Sequence, residues 1–355
     1  MSALSSFVSC PNIQTGLIDT FNFDNLRPDQ TNIVQFLLSN TNRIDTLQRE
    51  INFREGGRKS VEVVYGQRFL ESVVADGGRI DCTVGSVDGE TSKIYSIDPS
   101  MGANMSVKIN MQDLETRCEA DPLYVAREVR KMMNAILEKA ETDAALYLIA
   151  NTGNFASDVD NGAPAGTTVF KQTQTVLSNG QIAYNGYEDV TFEMMNNDFV
   201  QTPVVFGGEL WYKYAQAIKA ACCGLTGVDA GLYASGNPYL FAYARKVAAL
   251  SANSANGIAL APGAVQMISF NEFKGEYRMI DDNALKQGTL LYPDANLPVE
   301  FDYYAQLVCE GTERYWKLSL ALNYDYVGLP TDMYQVGDRL EGVNGILTFR
   351  IVNPS

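Results

Sequence analysis

The stretch from Asp121 to Asn151, DPLYVAREVRKMMNAILEKAETDAALYLIAN, constrains the fold most, because its start signal, periodicity and stop signal agree. Asp121 can cap the free amides of a first helical turn, and Pro122 sits where its missing N–H costs nothing. Leu123, Ala126, Val129, Met133, Ile136, Leu137, Ala140, Ala144 and Tyr147 recur at steps of three and four, which predicts a core-facing stripe. Asn151 and Gly153 then end the helix. At 1.5 Å per residue it is about 45 Å long, well beyond the usual three or four turns. Its charges are ordered oddly: Arg127, Arg130 and Lys131 lie in the first half and Glu138, Glu141 and Asp143 in the second, against the helix macrodipole. Each such placement costs only a few tenths of a kcal/mol, so something other than helix stability is expected to have chosen it. A plain solvated face is the competing reading.

A helix of this kind needs a large body to pack on, and 355 residues at 46% hydrophobic content can build one. No run approaches eighteen apolar residues, and MSALSSFVSC lacks a basic start and a long apolar core. Neither a membrane span nor a signal peptide is expected. The net charge of -15 argues against sequence-specific reading of nucleic acid, which calls for clustered cations. It is compatible with a surface that must not stick to packed DNA.

Before the long helix the chain changes character. Met1 to Arg49 is polar, with weak apolar clusters at Phe21-Asn22-Phe23 and Ile33 to Leu38, and only the second reads as a short helix, with Asp29 as a possible cap. From Ile51 to Asn110, strands are expected at Ser60–Tyr65, Lys93–Ile97 and Ser106–Ile109, with turns at Asp76-Gly77 and Asp88-Gly89. Apolar content there is too thin for an independent core, so the segment needs a partner surface. Arg54, Arg58, Lys59 and Arg68 stand out in this otherwise acidic chain. They fit either a contact surface or a charged edge strand guarded against aggregation.

After the long helix come a loop and strand region, a helix over Glu188–Phe199, a buried strand at Pro203–Phe206 and a helix from Glu209 to Ala221. Strands follow at Tyr239–Val247, Glu276–Ile280 and Thr289–Tyr292. Val299–Cys309 and Arg314–Val327 form two long strands joined by Glu310-Gly311-Thr312-Glu313, and GILTFRIV (Gly345–Val352) closes the chain.

Catalytic chemistry is hard to find. The chain has no histidine, which excludes Ser-His-Asp and Cys-His arrangements. Its six cysteines show no C-x-x-C spacing, so neither disulfides nor a zinc site is expected, and adjacent Cys222 and Cys223 read as small buried residues. The run Asp158 to Gly162 superficially resembles a calcium loop, but its glycine falls one position early and no glutamate follows at the required distance. Gly224, Gly227 and Gly231 match neither a phosphate loop nor a dinucleotide fingerprint. Asp281 with Asp282 is a carboxylate pair that nothing marks as catalytic. Tyr303, Tyr304, Tyr315 and Trp316 read as sheet packing. No catalytic residue, cofactor or metal ligand is expected.

The order of pieces, a polar arm, a core-poor hairpin, one very long helix and an α/β region whose closing strands return, resembles the HK97-type major capsid protein of tailed bacteriophages. The resemblance implies an α+β fold with an N-terminal arm at 1–49 and an extended loop at 50–112. A peripheral domain at 113–200 would carry the spine helix 121–151, an axial domain would occupy 201–328, and 329–355 would return to the peripheral domain. TPVVFGGELWYKYAQAI (Thr202–Ile218) and ALAPGAVQMISFNEF (Ala259–Phe273) are similar to strand-helix and helix segments of the axial domain. The implied function is structural: pentamers and hexamers close an icosahedral shell, the virion capsid, around double-stranded DNA bound without sequence preference. Assembly would take place in the bacterial host cytoplasm. The implied partners are other copies of the chain, a separate scaffolding protein and a portal protein, with decoration proteins as an option of the family. If the extended loop crosses a neighbour's spine helix, Arg54, Arg58, Lys59 or Arg68 would meet Glu138, Glu141 and Asp143. An encapsulin, which is a nanocompartment of the same fold, and a carbohydrate-acting enzyme are the alternatives.

Overall fold

The computed structural model describes residues 10–21, 32–39, 46–47, 60–65, 91–96, 102–110, 121–153, 171–174, 185–199, 203–213, 240–251, 255–271, 285–294, 297–311, 313–329 and 342–352. Two short helices open it, α1 (Cys10–Phe21) and α2 (Asn32–Ser39). Strands β1 (Thr46–Leu47), β2 (Ser60–Tyr65), β3 (Thr91–Ser96) and β4 (Ala103–Asn110) lead to the long helix α3 (Asp121–Ala150). Next come β5 (Lys171–Gln174), α4 (Asn185–Asn196), β6 (Val204–Gly207), β7 (Leu240–Tyr243) and α5 (Arg245–Leu250). The remaining strands are β8 (Asn256–Leu260), β9 (Val265–Phe270), β10 (Leu285–Leu291), β11 (Glu300–Glu310), β12 (Glu313–Gly328) and β13 (Ile346–Val352).

The expected helix forms almost residue for residue, and the Asn151 side chain closes it by donating to Tyr147 O at 2.9 Å. Its buried stripe is wider than the spacing suggested. Val125, Arg130, Met132, Ala145 and Leu148 are buried beside the expected positions, whereas Leu123 is exposed. The wider stripe serves several packing partners: both N-terminal helices, α5, β4 and β12.

Strict alternation explains β12. In WKLSLALNYDY the residues Trp316, Leu318, Leu320, Leu322, Tyr324 and Tyr326 share one face, and all are buried. Gly311 makes the turn from β11 with φ 63°, a backbone region that glycine enters without penalty. Strands pair in the order β10-β11-β12-β4, and the far end of β12 pairs with β9. A second five-stranded sheet runs β5-β13-β8-β6-β7, and a third sheet, β1-β2-β3, joins neither among the described residues.

The strands sort into sheets across the expected segment boundaries. β12, expected within 201–328, pairs with β4 from the loop segment and packs on α3, and β11 joins the same sheet through β12. β13 joins β5 to β8, so the closing strand bridges both expected domains. Within Ala259–Phe273 the described residues, to Asn271, are not helical: β8 ends at Leu260, the chain turns with Ala264 N–H donating to Ala261 O, and β9 begins at Val265 in the other sheet. Gly263 at φ 79° permits that turn, and β-branched residues follow it. Tyr239–Val247 breaks in two, with a strand to Tyr243 and then helix α5.

The N-terminal segment is the largest departure from expectation. Ile13 and Leu17 of α1, with Ile33, Val34 and Leu37 of α2, are wholly buried in the main core. Phe36 meets Phe206 of β6 edge-on at 5.5 Å. The helix over Ile33 to Leu38 is the expected one, but α1 is not, and both supply core because they pack on α3.

Candidate functional site

The acidic half of α3 is where the sequence pointed. Glu141 is fully buried, and its Oε1 and Oε2 accept the backbone N–H groups of Ile33 at 3.1 Å and Val34 at 2.9 Å. These are first-turn amides of α2, which have no partner within their own helix. Glu141 thus caps α2 from a distance of more than a hundred residues, the role expected of Asp29, which lies outside the described residues. Burial pushes the Glu141 carboxyl up to about 7, against the opposing pull of the Val34 and Ile33 amides and of Lys246.

Glu138 and Asp143 also have partners within the chain. Lys246 of α5 donates to Glu138 Oε1 at 3.0 Å. Lys139 pairs with Asp143 one turn along, and Tyr324 Oη donates to Asp143 Oδ2 at 2.7 Å. Two residues further along β12, Tyr326 Oη donates to Ala140 O at 2.8 Å. Burial, then the Asp143 hydrogen bond, holds the Tyr324 hydroxyl well above the ordinary tyrosine range, and burial does the same for Tyr326.

The order of charges on α3 therefore has a cause inside the subunit. Glu141, expected to meet a neighbouring loop, is occupied and inaccessible, and the Asp143 side chain is only 14% exposed. Glu138, at 44%, is the one of the three with substantial free surface. Arg54, Arg58, Lys59 and Arg68 lie outside the described residues, as do Cys222, Cys223, Asp158–Gly162 and Glu276–Ile280.

A groove of about 430 Å³ runs beside this cluster, lined by Gly102, Lys139, Asp143, Leu146, Tyr147, Ala150 and Asn151. Among the described residues no group of three or more Cys, Asp or Glu is placed to hold a metal ion. No described helix is long and apolar enough to cross a membrane. On the outer face of the β4-β12 pair, Lys108 stands directly opposite Lys317, and Glu310 accepts from Lys108 at 3.0 Å. Lys108 also lies 4.5 Å from the Tyr315 ring centre, and its exposed ammonium is held above the usual lysine range by Glu310 and Tyr315. What these surfaces offer is contact: exposed apolar and charged groups on rigid elements.

No protein-family model matches the chain, and no curated protein does. Solved structures similar to it include one from Mycobacterium phage Che8, with 10% identity, 83% of this chain and 85% of that one covered, and a TM-score of 0.42. Another is the asymmetric unit of the bacteriophage PhiM1 mature capsid, with 12% identity, coverage of 84% and 83%, and a TM-score of 0.41. The capsid of Myoviridae phage XM1 matches over 92% of this chain and 93% of that one, with 10% identity and a TM-score of 0.39.

Proposed function

We propose that the chain is the major capsid protein of a tailed bacteriophage, assembling through pentamers and hexamers of itself into an icosahedral shell around double-stranded DNA. The observation that carries this is the sheet β1-β2-β3, which among the described residues pairs with neither of the larger sheets. Small isolated sheets are marginal in water and are stabilised by a partner surface. A neighbouring copy supplies one at every position of a shell. Exposed large apolar residues add to the case, with Phe192 and Met195 one turn apart on α4, Leu146 on α3 and Tyr212 after β6. The chain acts by binding and is not an enzyme.

Packaged DNA is held without sequence readout, since a net charge of -15 leaves little for counterion release. A scaffolding protein and a portal protein are the partners such assembly calls for. The loop cations Arg54, Arg58, Lys59 and Arg68 have Glu138 of an adjacent copy as their remaining acidic partner on α3. Exposed ion pairs contribute about 0 to 1 kcal/mol, but a shell repeats each one in every subunit. The test is negative-stain imaging with sedimentation of the purified chain, alone and with its scaffold. Closed shells or five- and six-membered rings are expected. A folded monomer near neutral pH with scaffold present would overturn the reading.

A further inference from the structure

The N-terminal helices touch every major layer of the subunit. Gln14 of α1 accepts from Leu291 N–H at 2.9 Å and donates to Leu291 O at 3.0 Å, closing the end of β10, an outer strand of one sheet. Asn32 at the start of α2 donates to Tyr243 O at 2.7 Å on β7, an outer strand of the other sheet. Between these two attachments, α2 rests on α3 through the Glu141 carboxyl and the Ile33 and Val34 amides. These helices form a strap tying two sheets across one helix, and one of its fastenings is a fully buried titratable group.

We propose that Glu141 is the latch of a pH-sensitive strap, in which its neutral form holds α2 against α3 and its ionisation loosens α2. The inference concerns the single subunit and does not depend on the shell reading. A neutral carboxyl keeps acceptor capacity on its oxygens and so can still receive the two amides, without leaving a charge in the core. An ionised one accepts more strongly but carries the desolvation cost of a buried anion, and here that cost is the larger effect.

The surrounding charges do not cancel it. On α3, Glu138 and Asp143 are acidic neighbours, and Lys139 is already paired with Asp143. Lys246 of α5 is the nearby cation, but it is engaged by Glu138. β12 contributes Tyr324, Tyr326 and the buried Asp325, none of which favours a second negative charge. The described residues of α2, NIVQFLLS, have no titratable side chain.

The direction follows from linkage. The docked carboxyl titrates near 7 and a released one near its ordinary 4.5, so the docked state takes up the proton. Docking is therefore strongest below 4.5, weakens about tenfold per pH unit up to about 7, and changes no further above that.

Hydrogen exchange of the full-length chain, read by mass spectrometry on peptides covering 32–39 and corrected for base-catalysed intrinsic rates, tests this. Between pH 5 and pH 7 the protection of these amides is expected to fall by about a hundredfold and then level off. In Glu141→Gln it is expected to be flat with pH. Should that variant not fold, Lys246→Met keeps the carboxylate and removes the cation that favours its ionised form, so the fall should move to higher pH. Flat wild-type protection, an unchanged fall in Glu141→Gln, or an unmoved or lowered midpoint in Lys246→Met would each overturn the latch.

Discussion

Trp211 offers the sharpest test of the packing. Its ring is fully buried, its Nε1–H donates to Ala255 O at 2.8 Å, and it lies over Gly207 of β6 and Gly257 of β8, which face each other directly in the sheet. A Cβ added at Gly257 would sit 2.6 Å from Trp211 Cε2 and Nε1, and one at Gly207 would sit 2.5 Å from Cγ. Ordinary carbon contact is about 3.5 to 4 Å, so the indole would have to retreat by roughly 1 Å in a core packed near crystal density. A shift of that size also stretches the Ala255 hydrogen bond beyond useful length. Overpacking costs about 1 to 3 kcal/mol and the lost bond about 0.5 to 1.5, so Gly257→Ala should destabilise the subunit by about 2 to 4 kcal/mol. Gly311→Ala is the control. Nothing lies within 4 Å of its added methyl, leaving only the cost of φ 63°, about 1 to 2 kcal/mol. Urea unfolding of unassembled subunits, followed by far-ultraviolet circular dichroism, gives both values from midpoint and slope. In a Trp211→Phe background the Gly257→Ala penalty should shrink, since the smaller ring leaves room. If Gly257→Ala lies within 0.5 kcal/mol of wild type, the wedge between ring and glycine pair does not exist.

Two further outcomes follow from the contact between β12 and α3. Tyr326→Phe removes a donor to Ala140 O without changing shape much, and should cost about 0.5 to 1.5 kcal/mol in the same unfolding assay. Tyr324, whose hydroxyl is held above its ordinary value, contributes stability that is fully present below about pH 10 and is lost as pH rises beyond it. Unfolding measured at pH 9, 10 and 11 should accordingly show a shallower alkaline decline for Tyr324→Phe than for wild type, and parallel declines would remove Tyr324 from the account.

Local signals were legible wherever the residues that make an element also dictate its partners. The periodic stretch from Asp121 forms its helix to within one residue, and the alternation after Thr312 gives β12 with the turn at Gly311. Ser60–Tyr65 is a strand at its expected limits. What the sequence hid is non-local. Nothing near Glu141 signals that its oxygens cap a helix more than a hundred positions earlier, and the partners that the acidic run on α3 has within the chain, Lys246, Tyr324 and the α2 amides, are equally remote in sequence. For the same reason α1 was not anticipated. Ile13 and Leu17 are two apolar residues in a polar context, and only the groove on α3 makes them core.

The pairing of α3 with β12 has a mechanical consequence. Thirty helical residues span about 45 Å, and sixteen strand residues about 50 Å, so two members of nearly equal length lie in adjacent layers. Tyr324 and Tyr326 rivet one to the other with hydrogen bonds, which resist sliding of the layers past each other. Two members tied in this way flex less than either alone. In the shell proposed above, stiffness within each subunit would leave curvature to be set at the joints between subunits.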